Sequence, residues 1–339
     1  MALKYPPFAA CAAMEQAAKN APPLRRGARG IAVALLQSAL IQAGEKLPKS
    51  TKKTGVPDGD FGEETQQAVF SYQRKIKAHP DGVAGEKTIK ALDAAMVKAT
   101  PVPPPSPSGP PRLPSTPDYE VGMGDPALGH DPGAGAWKSK PWQMSYGVLK
   151  EAIIQALPTA YVVIGSDATK HMAHYLGNSG LDYTIDLEGM VKDVPSARAR
   201  YEDEVAQAQE LVEKLPVGKY SIHSRKAENG YNRQAESRNW FFAIGGYTKW
   251  GQGAVTAKTT AGVTEYELDF EYKFYDRYNW DAGKSVTFAG ITVTDVFMGE
   301  FHRQGLAREF DCYGSFKRHL TWKKGEKIPT QQLYAHGGR

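Results

Sequence analysis

Two short stretches towards the C-terminal end concentrate the groups that could do chemistry. The first is Tyr275-Asp276-Arg277-Tyr278-Asn279-Trp280-Asp281, and the second is Gly299-Glu300-Phe301-His302-Arg303-Gln304-Gly305. The first falls between strand-like patterns and the second follows one, positions where connecting segments present functional groups. Together they supply carboxylates, an imidazole and guanidinium groups. That set supports general acid–base hydrolysis, with arginine stabilising an anionic oxygen. Asp276, Asp281, Glu300, His302 and Arg303 are therefore the candidate catalytic residues. Asp276 or Asp281 could also hold a divalent ion, since hard cations prefer carboxylate oxygens, and no other cofactor is indicated. Each stretch has a structural alternative. The first also fits a hairpin turn with a surface ion pair, and Glu300 and Arg303 could pair because they are close in sequence.

Other groupings carry less. His171 and His174 could share a helical face, with Asp182 or Asp186 nearby in sequence. No Glu lies between them as in zinc peptidases, and ordinary surface or core histidines fit as well. Asp186 and Glu188 could be a carboxylate pair or a solvated strand face. Trp240, Phe241, Phe242, Tyr247 and Trp250 could form a sugar platform or a sheet core. Cys312 lies within a strand pattern and reads as packing. No Gly-x-Ser-x-Gly elbow or phosphate loop occurs.

The elements that must position these groups form an α+β region over residues 137–330. Residues 146–156 read helical, 160–164 as a buried strand, 181–187 as an alternating strand and 195–215 as a long charged helix. Residues 219–223, 240–247, 253–258, 266–275, 286–296 and 310–322 are aromatic or β-branched runs bounded by Gly and Asn. They predict five or six mostly antiparallel strands, a twisted sheet or half-barrel after the helices. Residues 99–136 are a Pro/Gly-rich linker. Within it, the prolines of 100–118 remove backbone donors and fix φ, which makes a semi-rigid extended spacer.

The strongest pattern lies before that spacer. Pro57-Asp58-Gly59-Asp60-Phe61-Gly62 is echoed by Pro80-Asp81-Gly82-Val83-Ala84-Gly85, each just ahead of a helical pattern. Glycine supplies the positive φ of a tight turn, and Asp bonds locally to backbone amides. Together with Leu24-Arg25-Arg26-Gly27-Ala28-Arg29-Gly30, Val33-Ala34-Leu35-Leu36-Gln37, Thr65, Tyr72-Gln73 and Glu86-Lys87-Thr88, this stretch resembles the peptidoglycan-binding domain found at one end of many cell-wall enzymes. The resemblance implies a small all-α module of three helices over residues 24–98 that docks on glycan strands or stem peptides. It also implies peptidoglycan-binding positions at Asp58, Gly59, Phe61, Gly62, Thr65, Gln73, Asp81, Gly82, Gly85 and Thr88, although the Asp-Gly turns could equally only staple helices together. Residues 1–23 are Ala- and Pro-rich, with a short helix over 8–19, and read as a flexible lead or a loading segment.

A second resemblance covers the run from Asn239-Trp240-Phe241-Phe242 to Trp322. It looks like an uncharacterised domain carried by antibacterial effectors of type VI secretion systems, which implies a delivered toxin without naming a reaction. The layout is also similar to colicin M, a lipid II-cleaving toxin family. Asp276 and Tyr278 match that family's Asp-x-Tyr-Asp element, but Asn279 stands at the second Asp, and His302-Arg303 lies much further along.

Composition sets the remaining bounds. The 339 residues are 41% hydrophobic and 23% charged, ordinary for a soluble protein of two domains. The net charge of +5 is too diffuse to indicate nucleic acid and suits an anionic wall or membrane surface. No apolar run is long enough for a membrane span, and the N-terminus lacks a basic region followed by an apolar core. Cys11 and Cys312 fall in different regions, so folding in a reducing cytoplasm is expected. A wall-binding module without an export signal fits a protein made in the cytoplasm and delivered by an injection machine to the periplasm of a target bacterium, or one released by phage-mediated lysis. The expected function is thus an antibacterial effector that binds peptidoglycan and attacks it, or its lipid-linked precursor, as a hydrolase. Its expected partners are peptidoglycan, a secretion-machine component and a cognate immunity protein. The alternatives are a membrane-perturbing toxin without enzymatic activity and a structural wall-binding adaptor.

Overall fold

The computed structural model describes residues 2–52, 57–99, 118–129, 131–229, 235–280, 285–288 and 291–334; Asp281 and most of the proline spacer lie outside them. The N-terminal part comprises α1 (Pro6–Ala9), α2 (Ala12–Ala17), α3 (Ile31–Gln42), α4 (Glu63–Lys75) and α5 (Glu86–Ala99). In α3, every residue from Ala32 to Leu40 is buried. A helix apolar all round must be covered all round, and α3 packs on α4 and α5 of its own bundle and also on α6 of the following domain.

The N-terminal segment contributes apolar residues from Leu3 to Ala18 to the core, in contrast to the flexible lead expected. Tyr5, Phe8, Cys11 and Met14 recur at every third position and are fully buried. Asp93 of α5 accepts hydrogen bonds from the backbone N–H groups of Lys4 and Tyr5 at 2.7–3.0 Å, and Glu15 accepts from Leu3 N at 2.8 Å. The Ala/Pro composition masked this short apolar stripe.

The C-terminal part runs β1 (Tyr119–Val121), α6 (Met144–Ile164), α7 (Ser166–Leu176), β2 (Tyr183–Thr184), α8 (Leu187–Asp193), α9 (Pro195–Lys214), β3 (Gly218–Ser224), β4 (Ala227–Asn229), α10 (Arg238–Ala243), β5 (Tyr247–Thr260), β6 (Val263–Tyr278), β7 (Ser285–Phe288), β8 (Ile291–Thr294), α11 (Asp295–Arg303), β9 (Phe310–Lys323) and α12 (Thr330–Tyr334). The main sheet has the order β1-β3-β5-β6-β9-β2, with β4 also on β5. Its pairs are antiparallel except β2 with β9. Burial alternates along β9 from Phe310 to Lys323, the pattern of a sheet covered on one face. The cover includes α9, whose Tyr201 ring lies 5.2 Å from Tyr272 and 5.0 Å from Phe316.

Several expected strands are helical. Residues 160–164 close α6: Ala160 and Ile164 are buried while Tyr161 and Val162 are 58% and 73% exposed, a one-turn spacing that only a helix gives. The aromatic run at 240–243 is α10, opened by the Ser237 side chain accepting from Trp240 N at 3.3 Å. The described residues of 286–296 form β7, β8 and the start of α11. Of 181–187, only Tyr183–Thr184 pairs as a strand.

The end of the linker is also ordered. Tyr119 to Val121 pair with Ser224 to Ile222 on β3, and Asp125 accepts from Trp250 Nε1 at 2.9 Å and Lys273 Nζ at 2.6 Å. Tyr119–Val121 therefore belong to the sheet, and Asp125 is tied to it, rather than to a spacer. The two parts of the chain also meet directly. Tyr5 Oη bonds Ser145 Oγ and lies 3.3 Å from Gln143 Oε1, and Gln42 Nε2 donates to Ser145 Oγ at 3.3 Å. The apolar core is continuous across this seam.

Beneath β1 lies a buried ion pair. Lys249 Nζ is 2.8 Å from Glu204 Oε1, with both side chains fully buried, and the Tyr119 hydroxyl donates to Glu204 Oε2 at 2.7 Å. Burial, then the Glu204 carboxylate, push the Tyr119 hydroxyl far up, so it stays a donor. Removing one member strands a buried charge. Lys249→Met should therefore cost about 3–5 kcal/mol in urea unfolding, and Lys249→Met/Glu204→Leu should recover much of that loss. A negligible effect of the single variant would contradict this account.

Candidate functional site

The two Asp-Gly turns are read by two buried glutamines in matching ways. Gln37 of α3 donates to Asp58 Oδ1 at 2.9 Å, Asp60 O at 3.0 Å and Thr65 Oγ1 at 2.9 Å, and accepts from Gly59 N at 3.0 Å. Gln73 of α4 donates to Asp81 Oδ1 at 2.7 Å, Val83 O at 3.0 Å and Thr88 Oγ1 at 3.0 Å, and accepts from Gly82 N at 3.0 Å. Gly59 and Gly82 sit at φ +70° and +69°, where a side chain would be strained; a Cβ on Gly82 would also meet the Phe70 ring at 2.7 Å. Thr65, Gln73, Thr88 and Phe61 are buried. Gly85 packs against Asn20, which accepts from Glu86 N at 2.9 Å, and Gly62 is the N-cap of α4. Most of the positions implied as peptidoglycan-binding thus face inward, so Thr65, Gln73 and Thr88 shape the domain rather than touch a ligand. Asp58 and Asp81 are exposed, yet each holds its own turn.

What these staples position is an open groove of about 650 Å³ between the end of α3, the basic loop after it and α4. Glu45 in the groove is paired with Lys75 at 2.6 Å, its side chain only 7% exposed. Glu64 accepts from Lys49 N at 3.0 Å, Ser50 N at 2.8 Å and Ser50 Oγ at 2.9 Å. Burial pushes the Glu64 carboxyl up, but these bonds outweigh it and hold it below the usual range. Lys46, Lys49, Glu63, Gln67 and Ser71 complete the polar lining. The groove exists only once Glu64 pins the loop to α4.

The second candidate cluster is buried and internally satisfied. Glu300, His302 and Arg303 lie on α11, in a helix rather than a loop. Glu300 Oε2 is 3.0 Å from Lys140 Nζ and 2.8 Å from Arg303 Nε, and Arg303 also donates to Ala134 O at 3.1 Å. His302 Nδ1 accepts from Glu309 N at 3.1 Å, which leaves the proton on Nε2 to donate to Gly135 O at 3.0 Å. Burial pushes its pKa down from 6.5 to about 4; the Gly135 bond opposes this, and Arg277, Arg303 and Arg308 add to it. Both ring nitrogens are engaged and the residue is 3% exposed. The geometry does not fit the general acid–base role expected of Glu300 and His302: no face of either is open to a substrate. Glu309, which sequence reasoning passed over, ties this knot by accepting from Ala134 N at 2.9 Å and Trp280 N at 3.2 Å.

Asp276 is not brought to that cluster. It lies within β6, opposite Cys312 in register, and strand alternation puts it on the other face from Arg277. Arg277 instead pairs with Asp311 at 2.9 Å and approaches Glu309 at 3.9 Å. Burial first, then the charges of Asp276 and Asp311, push the Cys312 thiol well up. On the face of Tyr278, the His171 ring lies tilted 4.6 Å from Tyr183 and 5.5 Å from Tyr278, and His174 lies 4.5 Å from Phe310. The two histidines are packing elements. Among the described residues, no group of three or more His, Cys, Asp or Glu side chains is arranged to hold a metal ion. Trp240, Tyr247 and Trp250 are buried, so they form core rather than a sugar platform.

The N-terminal helices define a class. Residues 29–92 match the family described as "Putative peptidoglycan binding domain". Among individual proteins, the chain is 43% identical over 75 residues to the N-acetylmuramoyl-L-alanine amidase CwlL of Bacillus licheniformis, covering 22% of this chain and 19% of that one. It is 37% identical over 92 residues to the type VI secretion system spike protein VgrG3 of Vibrio cholerae, covering 24% and 9% respectively. The matched segments span a fifth or less of the length of these curated relatives, including a "Probable N-acetylmuramoyl-L-alanine amidase" of Bacillus licheniformis at 20%. Among solved structures, PaeM, a colicin M-like bacteriocin produced by Pseudomonas aeruginosa, aligns over 87% of this chain and 82% of its own at 13% identity. Its TM-score is 0.29, too low to carry an argument.

Two outcomes follow from this geometry. Gln73→Ala leaves the Asp81–Gly82 turn unread and should cost about 1–3 kcal/mol of stability in denaturant unfolding. His302 has its folded pKa depressed below the unfolded value, so its contribution is complete above pH 6.5 and is lost as pH falls towards about 4. The slope of stability against pH across that window should flatten in His302→Asn; an unchanged slope would contradict the assignment.

Proposed function

We propose that the protein is a cell-wall-directed antibacterial effector. The N-terminal domain holds peptidoglycan, and the C-terminal α+β domain acts on peptidoglycan or its lipid-linked precursor in the periplasm of a target bacterium. The observation that carries this reading is the peptidoglycan-binding domain at residues 29–92 packed directly against the C-terminal domain through α3 and α6. Wall binding raises the local concentration of whatever the second domain does. The likeness to a type VI spike protein supports delivery by a secretion machine, and a toxin so delivered would need a cognate immunity protein in the producing cell. Of the residues first proposed for catalysis, Asp276, half-buried on β6 and away from Glu300, His302 and Arg303 on α11, is the described one to test first.

That same internal bonding favours a second reading, a structural wall-binding adaptor without catalysis. No described helix is long and apolar enough to cross a membrane, so the membrane-perturbing alternative gains no support from the helices. Expression of the full chain with and without an export signal separates the readings. The effector reading predicts growth arrest only on export, with altered muropeptides or lost lipid II, and relief by Asp276→Asn with binding to sacculi retained. Export without any effect on growth would favour the adaptor, and toxicity confined to the cytoplasm would contradict both.

A further inference from the structure

Peptidoglycan presents two chemistries to a binding domain: a glycan rich in hydroxyl and acetamido groups, and short stem peptides that carry free carboxylates and an amine. The groove beside α4 discriminates between them by what lines it. None of its lining side chains is aromatic, so it lacks the flat apolar faces on which sugar rings pack. Its acids are largely engaged inside the protein: Glu45 is held by Lys75 and Glu64 by the backbone of Lys49 and Ser50. Lys46 and Lys49 are exposed, and neither side chain forms an ion pair among the described residues. Glu63 is exposed on the facing helix, with Gln67 and Ser71 further along it.

We infer that this groove takes the stem peptide of peptidoglycan through its carboxylates, a specificity that rests on the wall-binding reading above. Lys46 and Lys49 meet the peptide carboxylates as charge-assisted hydrogen-bond donors. Glu63 meets the amine of a diamino acid residue, and Gln67 and Ser71 bond the peptide amides. Glu64 acts as a positioning residue. By fixing the backbone at Lys49 and Ser50 it holds the basic loop against α4 before ligand arrives, so less ordering is lost on binding.

The test is calorimetric titration of the full chain with three probes: the tripeptide L-Ala-γ-D-Glu-diaminopimelate, the same tripeptide with its carboxylates amidated, and a peptide-free GlcNAc–MurNAc disaccharide. The tripeptide should bind, and amidation or the double variant K46A/K49A should weaken it by about tenfold or more. Added salt should weaken it as well. A disaccharide that binds as tightly as the tripeptide, or an unchanged affinity in K46A/K49A with an unchanged melting curve, would overturn the inference. Co-sedimentation with intact sacculi separates the two levels of failure. Wild-type protein that sediments with sacculi but ignores the tripeptide leaves wall binding standing and removes the stem-peptide assignment. Protein that does not sediment removes both.

Discussion

A side-chain amide that bonds both ends of a tight turn is the constraint on which the N-terminal domain depends. Gln37 and Gln73 each donate to an Asp carboxylate, a backbone carbonyl and a Thr hydroxyl, and each accepts from the glycine N–H of the same turn. A buried amide is costly unless its groups are paired, so each glutamine accepts only one arrangement of the turn in front of the next helix. The start of α4 is thereby fixed relative to α3, and α5 relative to α4. The groove between α3 and α4 is a product of that fixing.

The second consequence concerns how the domains are joined. A proline spacer between two folded regions reads as a tether that lets them move independently. Here the N-terminal residues lie between the two regions, with Tyr5 bonded to Ser145 and Gln143 across the seam and its ring 6.3 Å from Tyr146. On the far side of the spacer, β1 enters the sheet, and Glu204 holds Tyr119 and Lys249 beneath it. If the groove takes a wall fragment, as proposed, this seam would present that fragment at a set position to the C-terminal domain.

The two turns and the helices α4 and α5 that follow them were readable in the sequence because their signals are local: Asp-Gly before an amphipathic run, with Thr seven positions after each Asp. The long charged helix and the alternating runs that became β3, β5, β6 and β9 were readable for the same reason. Errors arose where a short apolar run fits both periods. Residues 160–164 and 240–243 are β-branched or aromatic, yet both are helical, since their neighbours continue a helix and Ser237 caps one. The acid–base role expected of Glu300 and His302 departs from the structure for a different reason. Residue type identifies which groups could do chemistry but not whether their lone pairs are free, and His302 has both ring nitrogens bonded to backbone from Gly135 and Glu309. Asp276 and Arg277, adjacent in sequence, point to opposite faces of β6. Even so, α3 carried a visible clue to the seam: from Ala32 to Leu40 it has no charged residue, so it had to be covered on every side.

The central claim is that the chain engages the cell wall through the groove formed by α3, the basic loop and α4. Amide hydrogen exchange of the full protein, with and without soluble muropeptides from digested sacculi, addresses it residue by residue. The account predicts slowed exchange over residues 44–52 and the first turns of α4, with the main sheet and α11 unchanged. Protection confined to the C-terminal sheet, with the groove exchanging as in the free protein, would contradict it.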